Sequence, residues 1–260
     1  MFKPPLDLKS ARVLISNDDG IHAPGLKVLE RVLRKHCREV WTVAPEQERS
    51  GAGHSLTLHG PLRLRHLTGR RYAVDGTPTD CVLIATKVLL KDKPPDLVIS
   101  GINRGGNLGE DVTYSGTVAA AMEGTLLGFP SIALSQHFDR RDGVHWGTAE
   151  THTIPVLEKL LQATWAENAL VNVNFPSVVP EKVQGISVAL QGHRKVGGSI
   201  IEGRDPYDEP FYWIGSQRER ESYAGGTDLD AVRQGMVTIT PITLDMTHEP
   251  MMHNLREVFP

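Results

Sequence analysis

The sequence predicts an α/β fold with a mostly parallel sheet flanked by helices, followed by a C-terminal hairpin-like stretch. Three observations lead to it. Short apolar runs that end in polar, glycine-containing loops alternate with stretches of helical spacing from residue 12 to about residue 190. Two of these runs, Arg12 to Ser16 (RVLIS) and Glu39 to Ala44 (EVWTVA), flank one helix-length segment, which makes a βαβ crossover with parallel strands. After residue 190 the pattern changes to hairpin-like extended segments.

Taken in order, RVLIS is a strand that ends in NDDG, and Pro24 opens an amphipathic helix with Leu26, Leu29, Val32 and Leu33 on one face. EVWTVA is the second strand. The polar loop EQERSGAGHS follows, then short alternating segments at 56–58, 62–67 and 72–74 that predict a β excursion. A helix is expected over 78–90, opened by the capping turn Gly76-Thr77-Pro78-Thr79-Asp80. DLVISGI (96–102) reads as a buried parallel strand, TVAAAMEGTLL (117–127) as a helix, SIALS (131–135) as a strand and 148–163 as a helix. Strands at 170–175 and 185–190 precede the hairpin region 193–223. That region holds Tyr207, Phe211, Tyr212, Trp213 and Tyr223, with few aliphatic neighbours to bury them, so it is either a local β subdomain or an arm that packs on another subunit. A helix at 228–234, a strand at 236–239 and an irregular tail complete the chain. The expected division is a catalytic α/β domain over 1–190, an oligomerisation arm over 191–225 and a C-terminal segment over 226–260 that returns to the core or packs on a neighbouring subunit.

The balance of 28 basic against 31 acidic residues gives a formal charge of −3, which provides no general attraction for nucleic acid or an anionic membrane. An anionic substrate must therefore be captured locally. Two cysteines, Cys37 and Cys81, make neither a disulfide framework nor a metal-binding spacing. The start lacks the apolar stretch of a secretory signal, and no run approaches the roughly 18 apolar residues that span a bilayer. A cytoplasmic protein without a membrane partner is the expectation.

In an open parallel sheet, ligands bind beyond the carboxyl ends of the strands, near the point where strand order reverses. Asp18 and Asp19 follow the first strand, Ser50 lies after the second, and Asn103 follows the strand at 96–102. Adjacent carboxylates repel each other, and a bound cation offsets that repulsion. Two aspartates, a hydroxyl and an amide carbonyl are hard oxygen ligands that suit one Mg²⁺ or Mn²⁺. Each motif also has a plain structural reading: DDG as a solvated turn, Ser50-Gly51 as a turn, Asn103 as a turn residue before Gly105 and Gly106. The loop GINRGGNLGEDVTYSG (101–116) ends at a helix N-terminus formed by Ser115, Gly116 and Thr117, where a phosphate is stabilised by backbone N–H groups and the helix dipole. Ser115 there is also a helix cap. Neither G-x-G-x-x-G nor the Walker ending G-K-[ST] occurs. His22 and His54 read as loop or surface residues.

The segments SNDDG (16–20), APEQERSGAGHSLT (44–57), VDGTPTDCV (74–82) and SGINRGGNLGEDVTYSGTVAAAMEG (100–124) together resemble the SurE family, the stationary-phase survival proteins that are metal-dependent 5′-nucleotidases. The resemblance implies hydrolysis of nucleoside 5′-monophosphates, often 3′-monophosphates, and in some members polyphosphate. It places the metal ligands on Asp18, Asp19, Ser50 and Asn103, with Asp18, Asp19 and Asn103 catalytic. It places phosphate binding on Ser115, Gly116 and Thr117, with Asn107 nearby. The same resemblance implies a Rossmann-like α/β domain with a C-terminal β-hairpin arm exchanged between subunits, giving homodimers or homotetramers. Typical members carry Asn in place of His54 and His in place of Arg104. Two rivals remain at this stage: a phosphatase in which Asp18 forms an aspartyl-phosphate, and a nucleotide-binding regulator without catalysis.

Overall fold

The computed structural model describes residues 5–139, 143–194, 200–214, 221–222 and 224–259. In chain order its strands are β1 (Arg12–Ser16), β2 (Glu39–Pro45), β3 (Leu64–Thr68), β4 (Arg71–Val74), β5 (Leu97–Arg104), β6 (Ser131–Gln136), β7 (Ala169–Phe175), β8 (Ile186–Val188), β9 (His193–Arg194), β10 (Ile200–Arg204), β11 (Pro210–Ile214), β12 (Glu221–Ser222) and β13 (Val237–Thr243). The α-helices are α1 (Pro24–Arg34), α2 (Pro78–Ile84), α3 (Gly116–Leu126), α4 (Trp146–Leu160), α5 (Asp228–Arg233) and α6 (Glu249–Val258).

Nine strands form one sheet in the order β3-β4-β2-β1-β5-β6-β7-β13-β8. Every neighbouring pair from β4 through β7 is parallel, while β3 on β4 and β13 on β7 are antiparallel. The mostly parallel α/β expectation therefore holds. Strand order reverses at β1, which lies between β2 and β5, and this opens the crevice at their carboxyl ends.

The central strands are buried on both faces, so Val13 and Ile15 pack with α1 and α4 while Leu14 packs with α2. Helix α1 buries Leu26, Leu29, Val32 and Leu33 as its spacing demands, each side chain contributing about 1.5–3 kcal/mol of burial. Its first turn lies hard against the end of β5. A Cβ added at Gly25 would stand 1.9 Å from the carbonyl oxygen of Ile102 and 2.8 Å from the Trp146 ring.

Three sequence expectations are corrected. Residues 56–58 form no strand, because Thr57 spends its backbone N–H and hydroxyl on the Asp80 carboxylate at 3.0 and 2.7 Å instead of on a neighbouring strand. The helix expected over 78–90 is α-helical only to Ile84 and continues as a π-helical turn, Ala85–Leu89. The tail is not irregular: α6 forms there, started by the His248 side chain, which accepts from the Met251 N–H at 3.1 Å. The α6 sequence does carry an apolar stripe at helical spacing, Met251, Leu255 and Val258, which the expectation of an irregular tail passed over, and none of these side chains is buried among the described residues.

In the hairpin region β10 pairs antiparallel with β11, and β9 with β12. Tyr207, Phe211, Tyr212 and Trp213 are exposed there, and Tyr223 lies outside the described residues. Among the described residues no helix is long and apolar enough to cross a membrane. Cys81 is buried, whereas Cys37 is half-buried.

The close approach at Gly25 leads to a direct expectation. Gly25→Ala should destabilise the fold by about 1–3 kcal/mol, read as a lower urea midpoint at unchanged m-value, and an unaltered midpoint would contradict this packing.

Candidate active site

Residues 17–20 turn sharply out of β1. Asn17 closes the turn by donating its amide N–H to the Gly20 carbonyl at 3.0 Å. The turn delivers two carboxylates with different surroundings. Asp18 is only 4% exposed, and its Oδ1 accepts the hydroxyl proton of Thr117. Helix α3 reaches this carboxylate because residue 116 is glycine: a Cβ there would meet the Asp18 Cβ at 2.7 Å and Oδ2 at 3.0 Å. Burial raises the Asp18 pKa, while the Thr117 hydroxyl and the backbone amides of Gly116 and Thr117 act against that rise. Asp19 is half-buried and accepts the Arg104 backbone N–H at 3.0 Å. Desolvation, then the neighbouring charges of Asp18 and Glu48, push its pKa up to about 6.

The other expected residues occupy defined places around this pair. Asn103 is the penultimate residue of β5, and its amide nitrogen donates to the Gly105 carbonyl at 2.9 Å, which fixes the amide plane and leaves the side-chain oxygen available. Ser50 is exposed and donates to Glu48 Oε1 at 2.9 Å. Asp19, Glu48, Ser50 and Arg104 line one cleft together with Phe138 and Gly143. Ser115 caps α3 by accepting the Val118 N–H at 3.0 Å, so its own hydroxyl proton stays free to donate. Asp18, Gly116 and Thr117 are thus in contact, and Asp19 and Ser50 share a cleft. Asn107 stands deeper. It is buried, its amide nitrogen donates to Ser135 Oγ at 2.9 Å, and its backbone is held by Asn172 and Asn174.

Asp18 and Asp19 offer two hard carboxylate oxygens of the kind a divalent cation takes, and burial disfavours the ionised form of both. Glu48 is close enough to raise the Asp19 pKa, but among the described residues no three Asp, Glu, His or Cys side chains converge on one point. Beneath the two aspartates Ser16 and Ser100 are register partners on β1 and β5, and their buried hydroxyls, like Asn17 Oδ1, have no hydrogen-bond partner among the described residues. Two carboxylates without a compensating charge make this end of the sheet a poor place for an anion.

Sequence reading missed several participants. Glu48 looked like one more charge in a polar loop. Phe138, after β6, carries no motif. Asn172 and Asn174 left a signal, since two asparagines two residues apart in a buried strand share a face and need polar partners. His54, expected as a loop or surface residue, does lie in a loop, but its Nε2 sits 3.0 Å from the buried Glu123 of α3.

Comparison with known proteins agrees with this architecture. The family model described as survival protein SurE matches residues 13–198. Two similar relatives are a 5′-nucleotidase SurE of Paramagnetospirillum magneticum, 55% identical over 99% of both chains, and one of Rhodospirillum rubrum, 53% identical over the full length of both. The crystal structure of a SurE protein from Aquifex aeolicus superimposes with a TM-score of 0.84 at 40% identity, covering 96% of this chain and all of the other.

The raised Asp19 pKa fixes the sign of a pH effect. In metal-free protein the folded state binds the proton more tightly than the unfolded state. Stability is therefore lost as pH rises from about 4 to about 6, by an amount on the order of 2 kcal/mol. Asp19→Asn should raise the thermal midpoint above pH 6 in EDTA and leave it little changed near pH 4. Equal midpoints at both pH values would contradict the assignment.

Proposed function

The chain belongs to the SurE family, and on that premise we propose that it is a divalent-metal-dependent phosphomonoesterase converting nucleoside 5′-monophosphates to nucleoside and phosphate. Nucleoside 3′-monophosphates and polyphosphate are further candidate substrates. The observation that carries the reading is the desolvated Asp18–Asp19 pair set against the N-terminus of α3.

Asp18, Asp19, Ser50 Oγ and Asn103 Oδ1 would hold one Mg²⁺ or Mn²⁺ per subunit. When bound, that ion supplies charge stabilisation for the phosphoryl group and makes water acidic enough to attack near neutral pH. The protein's own groups do the positioning. Ser115 offers its free hydroxyl proton, Gly116 and Thr117 their backbone N–H groups, and Asn107 the second proton of its amide nitrogen, all toward phosphate oxygens. The Gly116 and Thr117 amides also favour the ionised Asp18, so the same N–H groups would be shared by carboxylate and phosphate, and a bound cation would offset the repulsion between the two. Asp19, open to the cleft, orients the attacking water and accepts its proton. The burial of Asp18 and its bond from Thr117 argue against Asp18 as an in-line nucleophile.

Both faces of the β10–β11 hairpin carry exposed apolar side chains, Ile200, Tyr212 and Ile214 on one and Ile201 and Trp213 on the other, which supports its assignment as an arm that packs on a second copy in a homodimer or homotetramer. The free cysteines Cys37 and Cys81 support a reducing, cytoplasmic location.

Phosphate release from a panel of nucleoside 5′- and 3′-monophosphates and polyphosphate should stop after EDTA treatment and return with Mg²⁺ or Mn²⁺. Asp19→Ala should lower kcat by at least about 100-fold with the fold intact by circular dichroism. Release that persists in EDTA, or a trapped covalent phosphoenzyme, would overturn the mechanism.

A further inference from the structure

We propose that Phe138 and the Arg104 side chain form the nucleobase subsite, a stacking platform beside the phosphate site. The inference rests on the function proposed above and names the part of the cleft that reads the base.

The geometry supports it in four ways. First, the Arg104 guanidinium carbon lies 5.5 Å from the centre of the Phe138 ring, and both side chains line the cleft that also contains Asp19 and Ser50. Second, the ring stands next to the reacting end of the site: a Cβ added at Gly105 would be 3.9 Å from Phe138 Cε1 and 3.8 Å from the Asn103 amide nitrogen. Third, neither side chain is committed elsewhere. Phe138 belongs to none of the hydrophobic clusters formed by the described residues. Arg104 is exposed, and its charge acts on Asp19 of the same cleft. Fourth, both are presented by fixed backbone. His137 N–H donates to the Phe175 carbonyl at 3.0 Å and Asp139 N–H to Ser177 Oγ at 2.9 Å, which pins Phe138 from both sides. The Arg104 N–H is bound to Asp19, and the Gly105 N–H to the Gln136 carbonyl at 3.0 Å.

A half-exposed aromatic ring and a planar cation beside a phosphate site match the faces of a nucleobase. The ring stacks on it, and the guanidinium meets its π-face. Every base has such a face, so the platform distinguishes nucleotides from base-free phosphomonoesters more strongly than one base from another. Arg104 is the last residue of β5 and Phe138 lies in the loop after β6, so the base lies over the rim of the sheet while the phosphate points toward Asp18.

The test compares kcat/KM for AMP, GMP, CMP and UMP with that for ribose 5-phosphate, in the Mn²⁺-loaded full chain. Phe138→Ala should lower the ratio of nucleotide to ribose 5-phosphate by about tenfold, with the loss in the nucleotide KM. Phe138→Trp should restore the ratio. Phe138→Leu, which keeps bulk without a π-face, should not. Arg104→Ala should shift it in the same direction, since the backbone N–H that binds Asp19 is retained. An unchanged ratio in Phe138→Ala, or full recovery with Phe138→Leu, would overturn the subsite and leave the proposed function standing. A wild-type protein that releases phosphate from none of the five substrates would instead remove the function itself.

Discussion

Two adjacent carboxylates taken out of water at the end of β1 are the constraint around which the rest of the site is arranged. The fold buries Asp18 almost completely, half-buries Asp19, and brings Glu48 close enough to raise the Asp19 pKa further. Removing one like-charged group from water costs several kcal/mol unless it is compensated, and here the compensation from protein groups is partial. Thr117, two helix amides and the Arg104 N–H favour the ionised forms, yet both pKa values remain raised. On the proposed function a hard divalent cation would complete the balance, and its charge would offset the repulsion between the carboxylates and a phosphate dianion.

The loops that carry the remaining groups are fixed by bonds reaching far along the chain. The segment after β2 is tied to the site by Arg49 N–H on the Asp18 carbonyl, to the loop before α3 by Gly53 N–H on Tyr114, and to α2 by Thr57 on Asp80 and Thr77 on Ser55. Asp80 also completes the capping box of α2, so one carboxylate both starts a helix and holds the loop bearing Ser50. On the other side Asn107 is locked between Ser135, Asn172 and Asn174, which fixes the glycine-rich loop before α3. Such preorganisation matters in phosphoryl transfer, where catalysis is mostly positioning and charge stabilisation.

The parallel sheet was legible because its strands are short apolar runs bounded by glycine-containing loops, and because α1 and α3 carry helix-start signals at Pro24 and Ser115. The carboxylate pair was legible because DDG follows a strand. The capping box at Thr77 and Asp80 was legible from its spacing. What escaped sequence reading depended on distant partners or on none. Thr57 leaves the sheet for Asp80, 23 residues away. Helix α6 has an apolar stripe in Met251, Leu255 and Val258 but no surface of the described fold to bury it against. Phe138 gains its meaning only when β5 and β6 place it beside Arg104, 34 residues back in sequence.

The most direct test of the central claim is Mn²⁺ binding followed by electron paramagnetic resonance, titrated into metal-free wild-type protein and Asp18→Asn at pH 7.5. The account predicts one tight site per chain in the wild type, and at least about a tenfold loss of affinity in a variant whose circular dichroism is unchanged. Equal affinity in the two proteins would show that the buried carboxylate pair is not where the cation sits.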